Sequence, residues 1–262
     1  LNANNVSRSI AFIQRGVDLA QGYATDFFTD SVANLGSLSY VAPYAAYVSD
    51  NTLFGYTGAI SGRRFRFQVS PTVGGLRWTE YSADYRRYIP VLFNFLTIAF
   101  RAQSSVSIGR DESQFPKYIG RPDYVRGYDR EQYSSQFCGG LVNDQSSCSA
   151  TELLGSRVAF SNVEVRFPLV RRFDLGILPI SLPPLDGLFF YDAGVAWKAG
   201  QSVSLKKPEN YDQDKNRYVL RSYGAGIRLN LFGFALVRWD YAIPLDRPGK
   251  KGYWMWTLGQ SF

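Results

Sequence analysis

Histidine is absent from this sequence of 262 residues, while methionine occurs once and cysteine twice. Without histidine, the chain cannot form Ser-His-Asp or Cys-His nucleophilic sites, and it lacks the commonest metal ligand of proteins. Two cysteines are also too few for a structural zinc site. We therefore expect no enzymatic activity and no metal or cofactor.

Long hydrophobic runs are lacking as well. The longest apolar stretch, residues 89–100, is interrupted by Pro90, Asn94 and Thr97. It falls short of the ~18–20 uninterrupted apolar residues of a membrane helix. Hydrophobic residues nevertheless make up 45% of the chain, and its 19 Phe and 18 Tyr favour strands. These features exclude a helical membrane protein and leave an all-β protein.

The net charge of +7 does not indicate a nucleic-acid partner. Although a basic chain could bind nucleic acid or anionic lipid, the 29 Lys and Arg residues are scattered and form no basic helix or arm. We interpret them as residues of a polar lumen and of loops, and we expect no binding to nucleic acid.

What the sequence does contain is alternation between apolar and polar residues at period two. Residues 64–71, 79–87 and 95–108 place apolar and aromatic side chains on one face and polar or charged side chains on the other. An average strand has only ~5–6 residues. Long strands with one aromatic-rich face are typical of a transmembrane barrel with an apolar belt and a polar lumen. A soluble barrel or sandwich would also alternate, and this alternative stays open here.

This pattern predicts nine strands, and a tenth if residues 6–20 form one. For residues 1–36 the sequence does not choose between strand, short helix and loop. Residues 110–156 and 198–217 are predicted to be long extracellular loops, and residues 232–233 a tight hairpin on the opposite side. The remaining predicted strands are residues 40–49, 158–167, 188–197, 220–231, 234–243 and 253–262.

Six sequence blocks go beyond composition. They are 125–128 (VRGY), 161–169 (SNVEVRFPL), 188–197 (LFFYDAGVAW), 222–228 (SYGAGIR) with 240–245 (DYAIPL), and 258–262 (LGQSF). In this order and spacing, the region from residue 40 to residue 262 resembles the bacterial surface antigen superfamily of outer-membrane barrels, the BamA-like insertases and translocators.

The resemblance implies an all-β transmembrane antiparallel barrel in the bacterial outer membrane. The chain would supply the C-terminal nine or ten strands of a sixteen-stranded barrel. The earlier strands and the periplasmic domains would either belong to a longer chain of which this sequence is a fragment or come from elsewhere. Two regions are expected. Residues 1–36 form an uncertain strand or loop, and residues 37–262 form the barrel with the extracellular loop 110–156.

The resemblance also implies a site inside the barrel. Alternation places Glu164 and Asp192 on the lumen face, and the family arrangement brings Arg126 inward on the folded-back loop, as part of the anchor motif Val125, Arg126, Gly127 and Tyr128. A guanidinium can bind carboxylates in a bidentate manner. A solvated Arg126 beside a wet lumen is the alternative. A catalytic role for the two carboxylates finds no support, because no substrate cleft is apparent.

Gly127 would let the loop backbone pass close to the wall, since it has no Cβ.

Cys138 and Cys148 lie ten residues apart in the same loop, and in an exported protein we expect them to form a disulfide. A redox or metal-binding pair is the alternative.

The resemblance gives Gly259 and Phe262 the role of the C-terminal assembly signal on a strand that meets the first strand at a weak seam. An ordinary closing strand is the other reading.

Two functions are compatible with these features. The first is a non-enzymatic barrel that assists the insertion or translocation of proteins at the outer membrane. Its expected partners are outer-membrane lipid, lipopolysaccharide, unfolded outer-membrane proteins, and periplasmic or lipoprotein subunits. The second is a structural or anchoring barrel without insertase activity, inside a larger surface complex.

Overall fold

The fold was analysed in a computed structural model. It describes residues 2–17, 24–92, 95–129, 150–170, 173–174, 181–231, 235–247 and 251–259. Within these ranges, no helix combines the length and the apolar character needed to span a membrane. The only helical segment there is one 3-10 turn at Ala150–Leu153.

Eleven longer strands carry the fold. They are β1 Asn2–Val17, β2 Ala24–Ala42, β3 Ala45–Asp50, β4 Ala59–Gly74, β5 Trp78–Val91, β6 Leu96–Ile108, β7 Arg157–Val170, β8 Leu185–Trp197, β9 Leu220–Leu231, β10 Ala235–Pro244 and β11 Tyr253–Leu258. Shorter strands occur at Leu53–Phe54, Lys117–Tyr118, Leu154–Gly155, Phe173–Asp174, Ser181–Leu182, Ser202–Ser204 and Asn216–Tyr218.

The main sheet follows the chain, with each long strand antiparallel to the next. Its order is β1-β2-β4-β5-β6-β7-β8-β9-β10-β11, while β3 and Leu53–Phe54 also pair with β4. This meander confirms the predicted all-β antiparallel fold. Residues 1–36, left open by the sequence, contribute β1 and most of β2. The predicted turn at 232–233 lies outside the described residues, and β9 and β10 pair up to Leu231 and Ala235 on either side of it.

The predicted single strand over residues 40–49 was wrong, because the structure divides it at Pro43 and Tyr44. Val41 pairs with Val73, and Ala45 pairs with Val69. The register is therefore the same on both sides of the gap, and Pro43 lies opposite Pro71. Proline has no N–H to donate to a ladder. Two facing prolines thus interrupt the pairing without shifting it.

The two faces of the sheet differ as the alternation predicted. On β7 and β8, Glu164 and Asp192 are fully buried on what we call the inner face. The neighbours that point the other way are exposed, for example Val163 at 38% and Phe189 at 58%. The outer face also carries the exposed aromatics Tyr191, Trp239, Trp254 and Trp256. An apolar outer face and a charged inner face are the arrangement of a membrane barrel.

Candidate functional site

The segment 117–129 of the long loop lies against the inner face of the sheet. Ile119, Val125 and Tyr128 are completely buried there. They pack with side chains of the neighbouring wall, among them Val158, Phe160, Ala196 and Leu220. Burial of several large apolar side chains, each worth about 1.5–3 kcal/mol, stabilises the loop in this folded-back position.

Arg126 projects from this segment onto Asp192 of β8. Its Nε and Nη2 atoms donate to the two carboxylate oxygens at 2.6 and 2.8 Å, and its backbone N–H donates to Oδ2 at 3.2 Å. Such a bidentate contact fixes the orientation of the guanidinium as well as its position. The structure therefore brings together Arg126 and Asp192, two of the residues singled out in the sequence.

Two more carboxylates face the remaining guanidinium nitrogen. Nη1 of Arg126 lies 3.0 Å from Oε1 of Glu164 on β7 and 3.4 Å from Oδ2 of Asp240 on β10. The Glu164 contact is an ion contact rather than an aligned hydrogen bond, because that oxygen has no hydrogen-bond donor with suitable geometry. Arg126 thus joins three different strands of the wall.

Three wall arginines complete the buried cluster. Arg166 donates from Nε to Glu164 at 2.9 Å, and Arg228 binds the same carboxylate oxygen. Arg238 donates from Nε to Asp240 at 2.7 Å. Each guanidinium contacts at least one carboxylate, which offsets part of the loss of water around it. Within this cluster, four guanidinium groups face three carboxylates.

Aromatic and glycine neighbours shape the space around these ions. The guanidinium carbon of Arg126 lies 3.5 Å from the ring centre of Phe190, a cation–π contact. On β9, a Cβ added at Gly226 would lie 2.0 Å from Oδ1 of Asp240. Gly226 therefore leaves the space that the Asp240 carboxylate occupies.

The loop backbone is held by the wall as well. The carbonyl oxygen of Pro122 accepts a hydrogen bond from Arg238 at 3.1 Å, and that of Asp123 accepts one from Arg101 at 3.3 Å. The Tyr124 carbonyl accepts one from the Asn162 amide at 2.6 Å. Because these donors come from β10, β6 and β7, three consecutive loop carbonyls are bound by three strands.

Tyr128 binds the wall as well, at the start of β9 and just after the end of β10. Its hydroxyl donates to the Arg221 carbonyl at 2.8 Å and accepts from the Asp246 N–H at 3.2 Å. Burial raises the pKa of this hydroxyl above its usual value, so it stays protonated and keeps its donor role.

The sequence interpretation assigned Gly127 to a close approach of the loop backbone to the wall. A Cβ at this position would meet Pro244 at 3.5 Å, an ordinary van der Waals distance. The backbone of Gly127 instead has φ of +90°, a conformation that other residues rarely adopt. The requirement is conformational rather than spatial.

Close approach to the wall occurs at Gly194 instead. On β8, two positions after Asp192, a Cβ would lie 2.7 Å from both Ile119 and Val125 and 2.8 Å from Phe160. The missing side chain makes a recess that receives two apolar side chains of the loop. Gly194 therefore positions the loop from the wall side.

Electrostatics keep Arg126 charged in this enclosed place. Burial alone would lower the pKa of the guanidinium, because desolvation disfavours the charged form. Asp192, Glu164 and Asp240 more than offset this effect, and the pKa of Arg126 is raised above its ordinary value.

The other predicted site residues lie at or beyond the limits of the described structure. Cys138, Cys148 and Phe262 fall outside the described residues, so their predicted disulfide and assembly signal stay predictions. Gly259 is described: its φ is +112°, and its N–H donates to the Leu236 carbonyl at 2.8 Å.

Sequence reasoning missed the third carboxylate, Asp240, and the roles of Arg228 and Arg238. A signal was present in the alternation of β10, where Arg238, Asp240 and Ala242 share the inner face. The spacing could have placed Asp240 inward. It could not have shown that Asp240 meets a loop residue 114 positions away in the chain.

Comparisons with known proteins identify the family and the fold. The family model of the Omp85 superfamily domain matches residues 36–262, and 65 chains of solved structures match the fold. One is the crystal structure of BamA from Haemophilus ducreyi lacking POTRA domains 1–3, with a TM-score of 0.61 and 12% sequence identity. The match covers 93% of this chain and 45% of that chain, so this chain spans less than half of that structure. No curated protein sequence matches the chain.

We expect Arg126→Ala to destabilise the barrel and release the loop. The substitution leaves three buried carboxylates without their shared cation, which typically costs about 3–5 kcal/mol. The temperature at which the folded band is lost on a semi-native gel should fall, and new protease cleavage should appear near Tyr124. The control is Arg110→Ala, because Arg110 also contacts an aspartate, Asp111, but its side chain is 65% exposed. Equal melting and an uncut loop in Arg126→Ala would contradict the expected role.

We expect Gly194→Val to displace the loop while leaving the strand intact. The added methyl groups would overlap Ile119 and Val125, and overpacking of this kind costs about 1–3 kcal/mol. Ala193→Val, a change of similar size on the adjacent position of the same strand, is the control. Thermal melting and limited proteolysis should separate the two variants, and identical behaviour would argue against a recess at Gly194.

Proposed function

The chain belongs to the Omp85 superfamily, and on this basis we propose that it assists the insertion or translocation of proteins at the bacterial outer membrane. Membership in this superfamily confirms the resemblance found in the sequence and the predicted location in the outer membrane. In this proposal the chain acts through its wall and its last strands, without nucleotide or metal. The loop 110–156 faces the outside, and the turn between β9 and β10 faces the periplasm.

The observation that carries the proposal is the occupied inner face. Loop residues anchored through Arg126 cover the interior of β7–β10, so this wall does not line an open diffusion channel. The outer face, by contrast, presents Trp254 and Trp256 on the last described strand, 66% and 68% exposed. A wall with a covered inner face and an aromatic outer edge is suited to act on the membrane beside it.

The last hairpin supports the same proposal. β11 pairs with β10 over six residues, from Val237 with Leu258 to Ala242 with Tyr253. β9 and β10 pair over ten residues, from Ser222 with Pro244 to Leu231 with Ala235. Among the described strands, β11 stands at the end of the sheet order with β10 as its neighbour, and we propose that this edge opens to admit client strands. Unfolded outer-membrane proteins, lipopolysaccharide and lipoprotein subunits are the proposed partners.

One observation favours a structural barrel without insertase activity. The ions around Arg126 are paired across β7, β8 and β10, which makes this wall rigid. A rigid wall would suit an anchor inside a larger surface complex. The two functions differ in whether client folding is accelerated.

An insertion assay distinguishes them. The complete protein, reconstituted in liposomes with whatever domains accompany this region, should accelerate the folding of a small client barrel over protein-free liposomes. Trp256→Ala should reduce the acceleration, because it removes an aromatic anchor at the proposed edge. Tyr47→Ala is the control, since Tyr47 is equally exposed, at 69%, but lies on β3. A folded protein that gives no acceleration would establish the structural role instead.

A further inference from the structure

A second segment lies against the sheet at the end opposite the long loop. Residues 51–58 connect β3 with β4 and form a closed turn. The Asn51 N–H donates to the Arg63 carbonyl at 3.0 Å, and the Arg63 N–H donates to the Asn51 side chain at 2.8 Å. Within the turn, the Gly55 N–H donates to the Gly58 carbonyl at 2.7 Å. We call this segment the 51–58 turn.

The tip of the 51–58 turn is bound by strands that are remote in sequence. The Thr57 hydroxyl donates to the Asp186 carboxylate at the start of β8, and the Asn230 amide near the end of β9 donates to the Tyr56 carbonyl. Next to the turn, Arg166 donates from Nη1 to the Ala59 carbonyl at 3.2 Å. Thr57 is only 5% exposed. The Thr57 end of the turn is therefore enclosed between the strands, whereas Leu53, Phe54 and Tyr56 are exposed.

Two arginines connect the turn with the cluster around Arg126. A Cβ at Gly58 would lie 3.4 Å from Nη1 of Arg228 and 3.5 Å from Nη1 of Arg166. Both guanidinium groups also bind Glu164, the carboxylate that contacts Arg126. The loop and the 51–58 turn thus meet the same buried ions from opposite ends of the barrel.

The turn also lies beside the last hairpin. Residues 54–58 line one cavity together with Asn230 of β9, Leu236 of β10, and Leu258 and Gly259 at the end of β11. The Gly259 N–H makes its hydrogen bond to Leu236 in this region. The turn therefore faces this end of the hairpin across the cavity.

We propose that the 51–58 turn is a strap that ties the β4 wall to β8 and β9 and restrains movement of the β10–β11 hairpin, whose outer strand β11 forms the proposed opening edge. The hairpin has two constraints in this arrangement, the Arg126 cluster on one side and the strap on the other. As a restraint on seam opening, the inference rests on the proposed function, whereas the strap contacts themselves do not depend on insertase activity.

Hydrogen exchange of the complete protein in lipid nanodiscs tests the strap directly. Thr57→Val keeps the shape of the side chain and removes the donor to Asp186. A hydrogen bond to a charged group lost in this way should raise local exchange about tenfold, both in the 51–58 turn and in the β10–β11 peptide. The control is Thr52→Val, the same change in the same turn, because the Thr52 hydroxyl bonds only to nearby Asp50.

Asn230→Ala is a second variant that releases the strap from the opposite wall, and it keeps the test available if Thr57→Val does not fold. Faster exchange of the β10–β11 peptide in either variant, with Thr52→Val unchanged, supports the strap. Faster exchange limited to the 51–58 turn, or an equal effect of Thr52→Val, overturns it. Since the readout is exchange, a protein without insertase activity can still carry the strap, and the two proposals fail separately.

Discussion

The buried contact between Arg126 and its three carboxylates is the interaction on which the interior depends. Asp192, Glu164 and Asp240 come from three strands, and without the guanidinium Asp192 would be an uncompensated buried charge, while Glu164 and Asp240 would keep only the wall arginines. Arg126 in turn could not remain charged away from water without them. The charged loop residue and the charged wall residues therefore stabilise each other. Through these contacts the loop, β7, β8 and β10 form one electrostatic unit.

Glycine supplies the geometry that this unit needs, in three different ways. Gly127 permits the positive φ that directs the loop past Arg126, Gly194 leaves a recess for loop side chains, and Gly226 leaves space for the Asp240 carboxylate. A larger residue at any of these three positions would disturb the ion cluster, each through a different contact. The strap contributes from the other end, because Arg166 and Arg228 lie against it and also bind Glu164.

Much of the wall could be predicted from the sequence, because period-two alternation is a local property of each strand. It placed Glu164 and Asp192 on the inner face and the long strands near their observed limits. The break at Pro43 was missed, since it depends on the facing Pro71 in another strand. Asp240 and the 51–58 turn were also missed, because their contacts join residues more than one hundred positions apart, which no local pattern encodes.

A double-mutant cycle between Arg126 and Asp192 tests most directly whether this ion contact holds the loop to the wall. The free energy of unfolding would be measured in lipid vesicles for wild type, Arg126→Ala, Asp192→Ala and the double variant. A coupling of about 2 kcal/mol or more is predicted, because residues in one buried network are strongly non-additive. If the two losses simply add, to within about 0.5 kcal/mol, the contact does not stabilise the loop and the account is contradicted.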